Sequence, residues 1–381
     1  MRTHITTLTR LCGAAGLLCA FGLGTAALLK SPEPYDLEDL YRLARSACPA
    51  ADLPCFERQF SAVTAKNGPG AAIALFTLLQ TRGDVRPSID GHHVAHHIGH
   101  ETAMDFGATA EALALCPDSY NYGCMHGFFQ HALGMGALSS REAARICDDL
   151  QGPAYPGKTW QSCYHGFGHG VMLYAGYDLP KALAVCDTLQ STVAQEACWQ
   201  GVFMENVDVA LEGDWQKGSF SHDDPLAPCD QVDSRHQFEC YFNQSGWLMR
   251  FYHNDVAAAT PACLKAAPES VMPCMEGVGL LTSSRAWQAR LLGQDTLSGP
   301  FLQNAWTLCQ KFPAGHIDQC VLGAADNLMN TSTVELAKSF CEVVDESYRS
   351  ACTTRISGDL QYLTVQKPKP EPGVSPPTVP E

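Results

Sequence analysis

Cysteine spacing limits what this chain can fold into more than any other feature. Of its 18 cysteines, Cys12 and Cys19 lie in the first thirty residues and the other 16 fall into adjacent pairs. The pairs are Cys48 with Cys55, Cys116 with Cys124, Cys147 with Cys163, Cys186 with Cys198, Cys229 with Cys240, Cys263 with Cys274, Cys309 with Cys320 and Cys341 with Cys352. Ten residues separate the partners in each of the last four pairs, and from Cys124 onward second members recur every 32 to 46 residues. That interval is the period of a helical-hairpin repeat. An even number of regularly spaced cysteines in an exported chain reads as a disulfide framework, so each adjacent pair is expected to be bonded.

The residues around the cysteines repeat as well. Gly stands at the third position after the second cysteine at Gly127, Gly166, Gly201, Gly277 and Gly323. Some way further on, an alanine- and leucine-rich stretch runs into the next first cysteine, as in Pro180-Lys-Ala-Leu-Ala-Val-Cys186. The pattern predicts a helix A starting at the second cysteine, a Gly/Asp turn, and a helix B ending at the next first cysteine. Each disulfide then locks one hairpin onto the next, and the glycine lets neighbouring helices approach closely. The expected fold is all-α: a disulfide-stapled array of about seven to eight helical hairpins, as an open α-solenoid or an α/α toroid.

One unit carries a family likeness. Gly170-Val-Met-Leu-Tyr-Ala-Gly-Tyr-Asp-Leu-Pro-Lys-Ala-Leu resembles a Sel1-like or tetratricopeptide-type repeat, in its Gly-x-x-x-Tyr helix, Asp turn and Lys-Ala helix. The likeness is clearest over 170–186, and it departs from those families in its cysteine staples and unequal repeat lengths. It implies an α-solenoid with a protein-binding role and supplies no catalytic residue.

The segment 1–30 has Arg2 and Arg10 ahead of an apolar run from Leu11 to Leu29, the form of a cleaved signal peptide or an uncleaved signal anchor. Residues 31–90 read as entry helices with Cys48 and Cys55, 91–212 as histidine-rich repeats, 213–365 as further repeats and 366–381 as a proline-rich disordered tail. Location is expected to be periplasmic or secreted, with membrane contact only through the first segment. A formal charge of −15, without basic stripes, argues against nucleic acid as a partner.

Nine of the 14 histidines lie between His92 and His169. On a helix, His92, His93, His96, His97 and His100 fall within an arc of about 140°, and Glu101 continues the His93/His97 ridge. Aligning Gly168-His169 with Gly99-His100 superposes His165/His169 on His96/His100. In the intervening repeat His126 takes the first slot and Gln130 the second, with His131 one position on. The next repeat holds Gln200 and Met204, followed by Glu205, and later first slots hold Phe242, Glu276 and Leu322. Imidazoles therefore occupy equivalent positions on three successive A helices, and the feature is local to them.

Imidazole is the commonest metal ligand, so the pattern points to a metal ion. His96, His100, His126, His165 and His169 are expected as ligands. His92, His93, His97 and His131 form a second site or outer shell, and Glu101 serves as base or bridge, with Glu205 as a further carboxylate. Oxidised cysteines remove thiolate ligands, leaving an imidazole-rich set that suits copper, zinc or non-haem iron. No Cys-x-x-Cys-His marks c-type haem, and no His-Glu-x-x-His marks a zincin protease. The competing readings are a solvated histidine face, a buried hydrogen-bond network and a pH-sensing cluster. The expected function is an extracytoplasmic metalloenzyme, oxidoreductase or hydrolase, acting on a small-molecule substrate. The alternatives are a metal-handling protein and a secreted scaffold that binds a protein partner.

Overall fold

Nineteen helices and no strand make up the regular structure of the described residues. They are α1 (Leu37–Ala47), α2 (Leu53–Asn67), α3 (Pro69–Thr81), α4 (Gly91–Phe106), α5 (Ala110–Leu113), α6 (Gly123–Gly134), α7 (Ser140–Asp149), α8 (Trp160–Tyr174), α9 (Leu179–Cys186) and α10 (Thr192–Leu211). Then follow α11 (Ser234–Asn243), α12 (Ser245–Phe251), α13 (Val256–Cys263), α14 (Pro268–Thr282), α15 (Arg285–Leu291), α16 (Phe301–Cys309), α17 (Ile317–Thr331), α18 (Val334–Val343) and α19 (Glu346–Val365). The structure is a computed structural model that describes residues 31–86, 89–151, 160–211, 213, 217–293, 300–331 and 333–365. The expected leader over 1–30 and tail over 366–381 lie outside the described residues. None of the helices described is long and apolar enough to cross a membrane.

Polar residues start the helices where the sequence places them. Asp52 accepts from Cys55 N, Asp90 from His92 N and Asp178 from Lys181 N, while Ser139 and Glu142 form a reciprocal capping box.

All eight expected cysteine pairs are bonded. Cys48 joins Cys55, Cys116 joins Cys124, Cys147 joins Cys163 and Cys186 joins Cys198. Cys229 joins Cys240, Cys263 joins Cys274, Cys309 joins Cys320 and Cys341 joins Cys352. Their Cα–Cα separations run from 5.4 to 5.7 Å. Eight disulfides fit an oxidising, extracytoplasmic environment.

The A helices stack in the order α4, α6, α8, α10, α11, α14, α17, α19, and α7, α9, α13, α16 and α18 pack against them. The expectation that each A helix starts at its second cysteine needs correction. Helices α8 and α17 begin three residues before Cys163 and Cys320. Helices α10, α11, α14 and α19 begin six residues before Cys198, Cys240, Cys274 and Cys352. A disulfide forms where the Cα atoms of two elements come within its short reach, not where a helix starts. In these units that point lies inside helix A.

The recurrent glycine sets the stacking distance. A Cβ on Gly127 would lie 1.7 Å from His96 O, on Gly201 2.0 Å from His165 O, on Gly277 2.1 Å from Phe242 O and on Gly323 2.0 Å from Glu276 O. Each glycine thus rests on the carbonyl of the first-slot residue one A helix earlier, a contact no side chain permits. Phe128, Phe129, Phe167 and Phe203 are buried beneath these crossings and fill the core.

The array curls back on itself. Asp90, His92 and Tyr120 from its early part line the same cavity, about 560 Å³, as Ser283, Asn327 and Thr331 from its late part. A second cavity of about 540 Å³ is bounded by α6, α8, α10, α11, α14, α17 and α19, which places it on the concave side. Asn121 borders both cavities. The curvature is that of a toroid.

Candidate metal centre

Helix α4 carries the histidine run, and Gly127 seated on His96 O brings α6 against it. This crossing places His126 beside His92 and His96. His92 Nε2 lies 3.0 Å from His96 Nε2, and His126 Nδ1 lies 3.3 Å and 3.2 Å from these two atoms. Nitrogens about 2.0–2.1 Å from a tetrahedral zinc stand roughly 3.3 Å apart, so the triangle has the size of a metal site. His165 and His169 of α8 join from the next crossing. Their Nε2 atoms are 3.3 Å apart, and their rings stack on His126 at 4.7 Å and 4.6 Å. His126, His165 and His169 form a second potential triad that shares His126 with the first.

Acceptors behind the rings fix the proton positions. His92 Nδ1 donates to Tyr120 O at 2.8 Å, since a carbonyl can only accept. His96 Nδ1 donates to Gln130 Oε1 at 3.2 Å, and Gln130 Nε2 donates to Glu205 Oε2 at 2.7 Å. His169 Nδ1 donates to the same carboxylate oxygen at 3.0 Å, and Tyr177 Oη donates to Glu205 Oε1 at 3.2 Å. With their protons held on Nδ1, His92 and His96 turn Nε2 lone pairs on one another. Backing of this kind orients imidazoles for a metal and raises their basicity.

The Tyr120 carbonyl is delivered by an unusual backbone. Tyr120, Asn121 and Tyr122 are consecutive left-handed residues with φ of 54°, 51° and 59°. Such residues cost on the order of 1 kcal/mol each. Packing repays this: the Tyr120 ring fills the space left by Gly91, and its hydroxyl bonds Thr77 Oγ1 at 2.8 Å.

The cluster is deep. His126 is 2% exposed, His169 0% and Glu205 5%, while His92 and His165 are half-buried. Burial first, then the neighbouring imidazoles, hold His96, His126 and His165 well below the usual imidazole range. Burial and the neighbours His92 and His93 do the same to His169, and burial also lowers His92. Burial pushes the Glu205 carboxyl up to about 7, opposed by its bonds from Gln130 and Tyr177. The site disfavours a second proton on each ring, so the rings stay neutral and keep a lone pair that could bind a metal cation.

The remaining candidates sit elsewhere. His100 Nε2 pairs with His131 Nδ1 at 3.1 Å, and Glu101 lies 4.0 Å from His100 Nδ1, beside this pair and outside the five-histidine cluster. His97 Nε2 turns to Ser61 Oγ at 3.0 Å, and His93 Nε2 is 4.0 Å from Asp208 Oδ1. Asp208 was not anticipated from the sequence, although it follows Glu205 by three residues and so shares its helix face. Nor were the partners Tyr120 O and Tyr177 Oη, which no local motif announces.

No protein-family model, curated protein or solved structure matches the chain.

Proposed function

We propose that the chain is an extracytoplasmic metalloprotein with a resident first-row transition metal held by His92, His96 and His126, and that this centre is catalytic. The observation that carries the reading is the pair of Nε2 lone pairs 3.0 Å apart on two rings whose protons are held elsewhere. A hydrogen bond cannot bridge them, and a cation can. The imidazole donor set suits copper, zinc or non-haem iron.

An enzyme is favoured over a carrier because His126 and His165 form part of the wall of the 540 Å³ cavity. That volume lies in the range of small-molecule sites, and amides and aromatics such as Asn121, Tyr122, Gln200 and Phe242 line it. The metal would act there as a Lewis acid or as an oxygen-activating centre.

Elemental analysis of untagged protein from an oxidising compartment tests the reading. A tightly held ion that disappears in His96→Ala is expected; metal-free wild type of unchanged stability sinks it. A colour or spin signal that responds to oxygen favours oxidoreductase chemistry, and a silent, zinc-loaded centre excludes it.

A further inference from the structure

Glu205 and Asp208 stand three residues apart on one face of α10, and His169 of α8 lies against them. One ligand atom from each of the three falls within 4.8 Å of the other two. His169 Nδ1 is 3.0 Å from Glu205 Oε2, and His93 Nε2, from α4, is 4.0 Å from Asp208 Oδ1. Three helices thus bring two carboxylates and two imidazoles to one place. Gln130 stands between this group and the imidazole triad, bonded to His96 on one side and Glu205 on the other.

Burial makes Glu205 a receptive ligand. Glu205 is 5% exposed and its partners are an amide, a phenol and an imidazole, with no Lys or Arg bridge to it among the described residues. Ionising a carboxylate so buried is costly, and a divalent ion bound to it would offset that cost. There is also a way in. A cavity of about 370 Å³ is lined by His93, His100, Tyr177, Glu205 and Asp208.

We infer that His169, Glu205 and Asp208, with His93 at the rim, form a second cation site, separate from the imidazole triad. It takes a divalent first-row ion through oxygen as well as nitrogen donors. On binding, His169 presents Nδ1 to the ion and keeps its one proton on Nε2, toward His165. Carboxylate ligands move the preference from copper toward zinc, ferrous iron or manganese. The two sites therefore differ in donor chemistry while Gln130 links them.

Zinc counting separates them. Full-length protein with its disulfides intact is stripped by a chelator, equilibrated with Zn²⁺, desalted and assayed. Two ions per chain are expected in the wild type, one in Asp208→Asn and one in His92→Ala. Glu205→Gln removes the second site independently, and near-UV circular dichroism of the metal-free variants checks their folding. A wild type holding one ion that His92→Ala abolishes and Asp208→Asn spares overturns the second site and leaves the triad standing. Two ions in both Asp208→Asn and Glu205→Gln also overturn it. One ion lost only with Asp208→Asn and Glu205→Gln supports the second site and removes the triad.

Discussion

His92 Nε2 and His96 Nε2 face each other at 3.0 Å, and neither carries a proton, because Tyr120 O and Gln130 Oε1 hold both rings as Nδ1–H tautomers. His126 supplies at most one proton to three nitrogens. The metal-free cluster is therefore frustrated, and a cation placed among the three nitrogens would relieve it.

Gln130 is expected to set affinity without touching the ion. It orients His96 and bonds Glu205, so Gln130→Ala should weaken zinc binding by about 10- to 100-fold. Competition against a chromophoric chelator measures this, and unchanged affinity would show that His96 needs no backing.

Two glycines should respond oppositely to alanine. At Gly127 the new Cβ meets His96 O at 1.7 Å, so α4 and α6 must separate. A loss of about 3 kcal/mol, at the upper end of overpacking costs, and of tight metal binding is expected. At Gly70, in the first turn of α3, a Cβ meets nothing within 4 Å, and a gain of roughly 0.4–1 kcal/mol is expected. Chemical denaturation of both variants gives the comparison.

The staples should separate stability from binding. Replacing Cys263 and Cys274 by serine opens a bond far along the array from the histidines and should cost about 2–4 kcal/mol while sparing metal affinity. Replacing Cys116 and Cys124 loosens the start of α6, two residues before His126, and should lower both. Equal affinities in the two double variants would contradict the placement of the site at the α4–α6 crossing.

Glu239 provides a pH signature. It is buried, its Oε2 has no hydrogen-bond partner among the described residues, and burial, opposed by a bond from Gln200, pushes its carboxyl up to about 7. The folded state thus holds the proton more tightly than the unfolded chain, whose value is about 4.5. The resulting stability is full below about 4.5 and is lost as pH rises through 7. Glu239→Gln should match the wild type near pH 4.5 and exceed it by on the order of 2–3 kcal/mol above pH 7. Urea titrations at acidic and alkaline pH check the crossover, and a constant difference would rule out ionisation of Glu239 as its cause.

Cysteine and glycine spacing alone made the all-helical stapled array legible, because both act over one or two turns of adjacent elements. Helix starts were less legible: Cys163, Cys320 and Cys352 mark where two helices touch, and the helices begin up to two turns earlier. The equivalence of His96, His126 and His165 was legible because His126 and His165 stand one residue before Gly127 and Gly166, and His96 and His165 stand three residues before Gly99 and Gly168. Which imidazoles converge was not. Helical rotation alone spreads five α4 histidines over an arc, and His92 and His100 look interchangeable within it. The carbonyl contact at Gly127 fixes how α4 is rotated against α6, turning His92 inward and His100 toward His131.

The sequence by itself determined the repeat, its bonds and the cluster of imidazoles in its early units, since these follow from residue identity and periodic spacing. Tertiary structure decided the rest: the curling that gives the centre a cavity, the placing of Glu205 and Asp208 beside His169 with Glu101 elsewhere, and the proton on each ring. Those depend on helix rotation and on acceptors such as Tyr120 O, which sit far along the chain and become neighbours only when the helices pack.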